Sequence, residues 1–347
     1  MIYLMLQAYA AVRMLTTPTL RLATCAELGG SQRAASVLRH PGIVMLNRVL
    51  LEPSECETTT EEELVAWLGP KDPRTVHVRD HIGVQSGGTL RAGLLDGGTT
   101  DDARLEWVPG EGEAEDELAL KLALGPAQPL VRPVAQHDRP RIDVLLAMPR
   151  PLVFARLLPM MSQIGVDRIW ITGARRVDKS YFASHLLRPD RADDLRAALV
   201  DGLEQSGDTA VPRFELRRSL SKLLASDDLF APRGTTTDST AASSAADAAD
   251  AAPLIKLVCH PERRDGDEGV RQPTLIGQAL ADVPPNARVV LAVGPERGWA
   301  EPDELDLFES HGFRTVTLGP RTLRTDVALV SLLAVAHERL EESKQRG

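Results

Sequence analysis

The stretch VGPERGWAEPDELDLFESHGFRTVTLGPRTLRTDVALVSLLA, residues 293–334, decides the fold. It begins at the end of the apolar run ARVVLAVG (287–294), which lacks polar alternation and so reads as a strand buried on both faces. A Gly-Pro turn follows. Glu301–Ser310 then reads as a helix, with Pro302 in its first turn and Gly312 as its C-cap. FRTVTLG (313–319) is the next strand, ended by a second Gly-Pro turn in GPRTLRT (319–325). Leu329, Leu332, Leu333, Ala336 and Leu340 recur at helical spacing and predict a last amphipathic helix. Strands alternating with helices imply a parallel α/β sheet.

The same pattern extends upstream to Arg141. IDVLLAM (142–148) is a buried strand, and Phe154, Leu157, Leu158, Met161 and Ile164 follow as a helix that Pro159 should kink. RIWITG (168–173), RFELRR (213–218) and LIKLVCH (254–260) are further strands, with a helix over 190–206. CHPERR (259–264), GPERG (294–298) and GPRTLRT (319–325) therefore stand at the carboxyl ends of strands. That is where open α/β sheets bind ligands, and glycines there let backbone groups approach closely. Neither a GxGxxG nor a GxxxxGK[ST] phosphate loop occurs. Residues 231–252 have no large apolar side chain and read as a disordered insertion.

Before residue 136 the pattern changes. MLNRVLLEP (45–53), the weakly alternating TVHVRDHIGV (75–84), GGTLRAGLLDGG (87–98), Trp107–Val108 and ELALKLAL (117–124) read as short strands of a small β-barrel over 45–135. On such a strand His77 and His81 face the surface or RNA. Residues 1–44 read as a leader. Its first 26 residues hold Arg13 and Arg21 and no acid, the composition of a transit segment. The expected location is a mitochondrion or plastid, and the cytoplasm otherwise. No apolar run approaches the roughly 18 residues of a membrane span. Three cysteines (Cys25, Cys56, Cys259) form no CxxC pair, and no residue set has metal-ligand spacing, so no metal is expected.

Residues 293–334 closely resemble the C-terminal signature of the RsmE-type ribosomal RNA uridine-N3 methyltransferases, which runs roughly IGPEGGF-S-x-x-E and then LG-x-R-I-L-R-x-E-T-A. GLEQSGDTAVP (202–212) resembles that family's EQS-x-R-x-x-x-P segment, and the N-terminal strands resemble its PUA-like barrel. The resemblance implies a SPOUT domain over 141–345 whose C-terminal part is threaded into a trefoil knot. It implies S-adenosylmethionine as cofactor, bound by His260, Pro261, Gly294, Pro295, Glu296, Gly298, Leu318, Gly319, Leu323 and Thr325. It further implies small-subunit ribosomal RNA as substrate and a homodimer formed through the knot domain.

In-line transfer of an activated methyl group to uracil N3 needs alignment and a cation near the uracil carbonyls. Arg324 is the first candidate for that cation and Arg321 the second. With a net charge of −9, RNA must be held by a local basic face. Arg74, His77, Arg79 and Arg91 on the barrel, and Arg175 and Arg176 in the catalytic domain, are the candidates. The chain departs from the family pattern at Arg297, where the pattern has its second glycine, and at Asp208, Gln163, Met160 and Asp326. An arginine at a site needing positive φ would strain the loop by about 1–2 kcal/mol. The departures allow a second reading, a catalytically inactive SPOUT-like protein acting in ribosome assembly.

Overall fold

A computed structural model describes residues 48–110, 117–135, 137–226, 253–261 and 272–346. The leader over 1–44 and the insertion over 231–252 lie outside the described residues. The described residues form one compact unit, built on two sheets.

The first sheet contains β1 (Val49–Leu51), β2 (Cys56–Thr58), β3 (Glu63–Leu68), β4 (Thr89–Leu94), β5 (Thr99–Pro109) and β6 (Leu118–Pro126), in the order β1-β4-β5-β6-β3-β2. The β1–β4 pair is parallel and the others antiparallel, so the sheet is mixed. Alternate residues face inward, as the two-residue period of a strand requires. Leu64, Ala66 and Leu68 on β3 meet Leu120 and Leu122 on β6 and Leu105 on β5 in one core.

The segment 75–84, expected as a strand, is helical through Ile82 instead. Helix α1 (Pro73–His77) runs on into a wider turn over Val78–Ile82 and stops at Gly83, whose φ is 71°. Asp72 caps it by accepting from the Arg74 N–H at 2.8 Å, and Pro73 occupies the first turn. Start and stop signals at 72–73 and 83 outweigh a short alternation. His77 and His81, four apart, therefore stack on one helical face, ring centroids 5.0 Å apart.

The second sheet is wholly parallel. It contains β7 (Ile142–Ala147), β8 (Val166–Thr172), β9 (Arg213–Arg217), β10 (Leu254–Cys259), β11 (Thr274–Leu275), β12 (Arg288–Val293) and β13 (Arg314–Thr317), ordered β11-β13-β10-β12-β7-β8-β9. The chain winds outward from β7 to β9, then crosses to the far side of β7. Helices cover both faces. Ile142, Val144, Leu146, Val289 and Leu291 pack under α2 (Pro151–Ile164), α3 (Ala192–Ser206) and the long C-terminal helix Thr325–Arg346. Leu145, Trp170, Val290 and Ala292 pack under α4 (Leu220–Leu224) and α5 (Asp303–Ser310). The C-terminal helix is called α6 below. Helix α2 runs through Pro159, and α3 meets it at Gly202. A Cβ there would lie 2.1 Å from the Pro159 carbonyl oxygen, so only glycine fits.

On the α4–α5 face the apolar pattern is interrupted by charge. Asp143 on β7 is fully buried between Arg168 on β8 (3.0 Å) and Arg288 on β12 (2.5 Å). The Arg168 guanidinium also lies over the Trp170 ring at 4.9 Å.

The two sheets are joined through the segment after α3. Arg139 donates to Asp167 (2.6 Å), Asp96 (3.1 Å) and the Val211 carbonyl (2.8 Å). The Thr209 hydroxyl donates to the Gly97 carbonyl at 2.6 Å. Leu50, Leu95, Leu203 and Val211 form an apolar plug beside them. Asp208, which stands at the arginine of the family pattern, caps the Thr209 and Ala210 N–H groups at 2.7 and 3.1 Å.

Glu204 on α3 is buried near this junction. Burial first, then the negative charge of Asp201, pushes its carboxyl pKa up to about 8. The native state keeps that proton well above the ordinary carboxylate range, whereas the unfolded chain releases it near 4.5. Stability should therefore fall as pH rises through that window, by up to about 5 kcal/mol, and level off above pH 8. Glu204→Gln should flatten the profile and be the more stable protein at pH 8. Denaturant titrations of both proteins across the window check this.

Candidate functional site

Three loops converge at the carboxyl edge of the parallel sheet. The first follows β10. The His260 N–H donates to the Val316 carbonyl at 2.9 Å, which ties this loop to the end of β13. Its imidazole is buried and shares a 2.6 Å hydrogen bond with Glu301. Pro261 beside it is exposed.

The second loop follows β12. Gly294 lies against Trp299, and a Cβ at Gly294 would meet the Trp299 backbone nitrogen and Nε1 at 3.2 Å each. Trp299 is fully buried and packs edge-on to Phe308, which packs edge-on to Phe313. Its Nε1 is buried and has no hydrogen-bond partner among the described residues. Gly298, with φ 69°, faces the His260 ring, whose Cε1 would lie 3.8 Å from a Cβ there. The Gly298 N–H donates to the Pro295 carbonyl at 2.8 Å. Exposed Glu296 reaches across to the end of β7 and accepts from the Arg150 N–H at 3.0 Å.

Arg297 corrects the expectation of strain. The non-glycine residues with positive φ among those described are Glu62 and Asp96, and Gly298 takes the left-handed conformation in this loop. Arg297 therefore costs the loop nothing in backbone energy.

The third loop follows β13. Gly319 has φ 117° and open space where a Cβ would stand. The Thr317 hydroxyl bonds with both its N–H and its carbonyl, each at 3.2 Å. Leu318 is half-buried, Leu323 is exposed, and Thr325 is buried where α6 begins. Arg321 and Arg324 are both exposed. Arg324 pairs with Asp326 at 2.8 Å, and Arg156 from α2 approaches the same carboxylate at 3.5 Å. Asp326 thus serves as an anchor for Arg324. The shorter carboxylate noted in the sequence gave no hint of Arg156.

These loops offer two positive-φ glycines, a tight glycine against a buried indole, and an indole N–H without a partner among the described residues. Such a cradle of backbone and apolar surface suits a small ligand with both polar and flat parts.

The expected RNA-facing residues separate into two groups. Arg74 is turned inward, where it donates to the Leu50 carbonyl (2.9 Å), Glu55 (2.6 Å) and Asp72 (2.8 Å). His77 is buried, and that burial, with the charge of His81, holds its pKa low. Of the four candidates around the first sheet, Arg91 and Arg79 are exposed, and Arg79 pairs with Asp80 at 2.7 Å. Arg175 and Arg176 stand beside the loop after β12. The Arg175 N–H donates to Glu304 at 2.8 Å and its guanidinium pairs with Asp303. Arg176 donates to the Arg297 carbonyl at 2.8 Å. Among the described residues, no cluster of three or more metal-ligating side chains occurs, and no helix is long and apolar enough to cross a membrane.

Residues 137–337 match the family described as RNA methyltransferase domain. The ribosomal RNA small subunit methyltransferase E of Treponema pallidum is 26% identical over 286 residues, covering 79% of this chain and 87% of that protein. The ribosomal RNA small subunit methyltransferase E 1 of Borreliella burgdorferi is 22% identical over 202 residues, 58% of this chain and 68% of that protein. Among solved structures, a ribosomal RNA small subunit methyltransferase E from Neisseria gonorrhoeae bound to S-adenosyl methionine superposes with a TM-score of 0.52. It is 18% identical, and the match covers 84% of this chain and 97% of that one, a likeness of fold.

Proposed function

The chain belongs to the RNA methyltransferase domain family, and from that membership we propose that it transfers the methyl group of S-adenosylmethionine to small-subunit ribosomal RNA, at N3 of a uridine. The observation that carries this reading is the convergence of the loops after β10, β12 and β13 around Gly294 and Trp299. The two curated relatives are named for small-subunit ribosomal RNA methylation.

The residues present fit the cofactor. Gly294, Gly298 and Gly319 leave room for close backbone contact, and the Trp299 indole N–H has hydrogen-bonding capacity to spare. The cofactor supplies an activated methyl group, so the protein's task is alignment and charge. Arg324, held by Asp326 and exposed at the loop, is placed to stabilise negative charge as the uracil imide proton leaves. Arg321 is the second cation on the same loop.

An inactive scaffold is not favoured, because Arg297 leaves the loop unstrained. In this reading the first sheet is a PUA-like RNA-binding module, and the C-terminal loops are brought together by a trefoil knot. The protein acts as a homodimer. Support for the dimer comes from Leu152 on α2 and Leu323 and Val327 at the start of α6, apolar side chains exposed at 67%, 37% and 48%. Such exposure near one site suits a partner surface.

Mass-spectrometric mapping of small-subunit ribosomal RNA with and without this gene tests the reaction, and an unchanged methylation map would sink it. Arg324→Ala should lower kcat about tenfold with KM for RNA little moved, since an exposed cation is screened by solvent. Steady-state methyl transfer to deproteinised ribosomal RNA checks that split.

A further inference from the structure

Several exposed arginines elsewhere among the described residues are matched with carboxylates of this chain. Arg79 pairs with Asp80 (2.7 Å), Arg188 with Asp190 (3.0 Å), Arg191 with Asp194 (3.1 Å) and Arg217 with Glu215 (2.9 Å). In a chain with 49 acids and 40 lysines and arginines, such matching is the expected state of a surface cation.

Around the loop after β12 three unmatched arginines gather. Arg150, Arg176 and Arg297 are exposed, and among the described residues none has a carboxylate within the 4.0 Å of an ion pair. They come from the carboxyl ends of three different strands, β7, β8 and β12, and are drawn to one place by two bonds. The Arg176 Nη1 donates to the Arg297 carbonyl at 2.8 Å. The Arg150 backbone N–H donates to Glu296, the residue before Arg297, at 3.0 Å.

The acids of the neighbourhood are engaged elsewhere. Asp303 pairs with Arg175, and Glu304 accepts from the Arg175 and Ala300 N–H groups. Glu301 is bonded to His260. Asp178 accepts from the Ser180 N–H, which is the main cause of its lowered pKa, and it also feels the positive charge of Arg297. The guanidinium groups thus face solvent at the rim of the cofactor loops, with most of their donors unspent.

We infer that Arg297, with Arg176 and Arg150, clamps the phosphodiester backbone of the RNA beside the reacting nucleotide. The inference rests on the proposed function. A guanidinium presents a fork of donors that matches phosphate oxygens bidentately. Arg297 stands where the family pattern has a glycine, so it is this chain's own addition to the RNA face. It acts as a positioning residue, holding the strand while Arg324 faces the base.

The test uses the full chain, a short labelled uridine-containing single-stranded RNA for affinity, and deproteinised small-subunit ribosomal RNA for turnover. Arg297→Gly should weaken RNA binding about three- to tenfold at moderate salt and reduce the slope of log affinity against log salt by about 0.7. The KM for ribosomal RNA should rise by a similar factor, with kcat within about twofold, because a phosphate contact is made before and during the reaction alike. Arg297→Lys should recover most of the affinity, and Arg176→Ala combined with Arg297→Gly should lose more than either. S-adenosylmethionine titration of each variant reports whether the loop keeps its shape. Unchanged RNA affinity and salt slope in Arg297→Gly, or a fall in kcat at constant KM, overturns the clamp. Wild-type protein that binds the cofactor but no RNA overturns the functional reading beneath it.

Discussion

Gly294→Leu is expected to abolish S-adenosylmethionine binding in a protein that still folds. The first carbon added at Gly294 would sit 3.2 Å from the backbone nitrogen of Trp299 and 3.2 Å from its Nε1. Neither neighbour can yield easily. The indole is fully buried, with Phe308 packed edge-on at 4.8 Å and Phe313 behind it at 5.0 Å from Phe308. The loop must then move outward, into the space proposed for the ligand. Overpacking of this kind costs about 1–3 kcal/mol, which a domain of this size tolerates. The loss of cofactor affinity should exceed about a hundredfold, since both loop contacts and room for the ligand are lost together. Gly294→Ala should give a smaller loss, because the contacts it creates need a shift of only a few tenths of an ångström. Calorimetric titration with circular dichroism as the folding control decides the matter. A folded Gly294→Leu protein with affinity within about threefold of wild type would remove the cofactor from this loop.

The second large effect concerns stability. Asp143 is fully buried and pairs with two arginines at once, Arg168 at 3.0 Å and Arg288 at 2.5 Å. Asp143→Ala would leave both guanidinium groups in a face otherwise formed by Leu145, Trp170, Val290 and Ala292. Removing one member of a buried ion pair costs about 3–5 kcal/mol, mostly the desolvation of the charge left behind. The expected result is a fall of that size in denaturant-derived stability. The three groups act as a set, so Asp143→Leu combined with Arg168→Met and Arg288→Leu should recover much of the loss. A single Asp143→Ala change worth less than about 1 kcal/mol would mean that water reaches the arginines and that the cluster is not dry.

The strands of the parallel sheet were legible because they are buried on both faces. IDVLLA and RVVLAV are apolar runs broken by one charge each, and the sequence placed these two strands and VDRIWIT within one or two residues of their observed ends. The loops at their carboxyl ends were legible for the same reason, since a Gly-Pro turn after a buried strand has few other places to go. Residues 75–84 were not, because alternation over a few residues competes with caps at Asp72 and Gly83, and the caps decide. The turns after β8, over Lys179–Arg191, carry no periodicity and left no trace in the pattern.

By itself the sequence determined the alternation of strands and helices, the three ligand-edge loops, and the resemblance that names the chemistry. The order of the strands was decided only in three dimensions, and with it every pairing that depends on that order. Asp143 and Arg288 are 145 positions apart and meet because β12 inserts beside β7. Arg74 looked like a surface cation and became an internal brace because Glu55 and Asp72 flank it in the folded chain. Arg297 looked strained and is not, because the left-handed turn falls one residue later, at Gly298. Local propensity acts over a few residues along the chain, whereas burial and charge pairing act across space, and only the folded backbone specifies which charges are brought together.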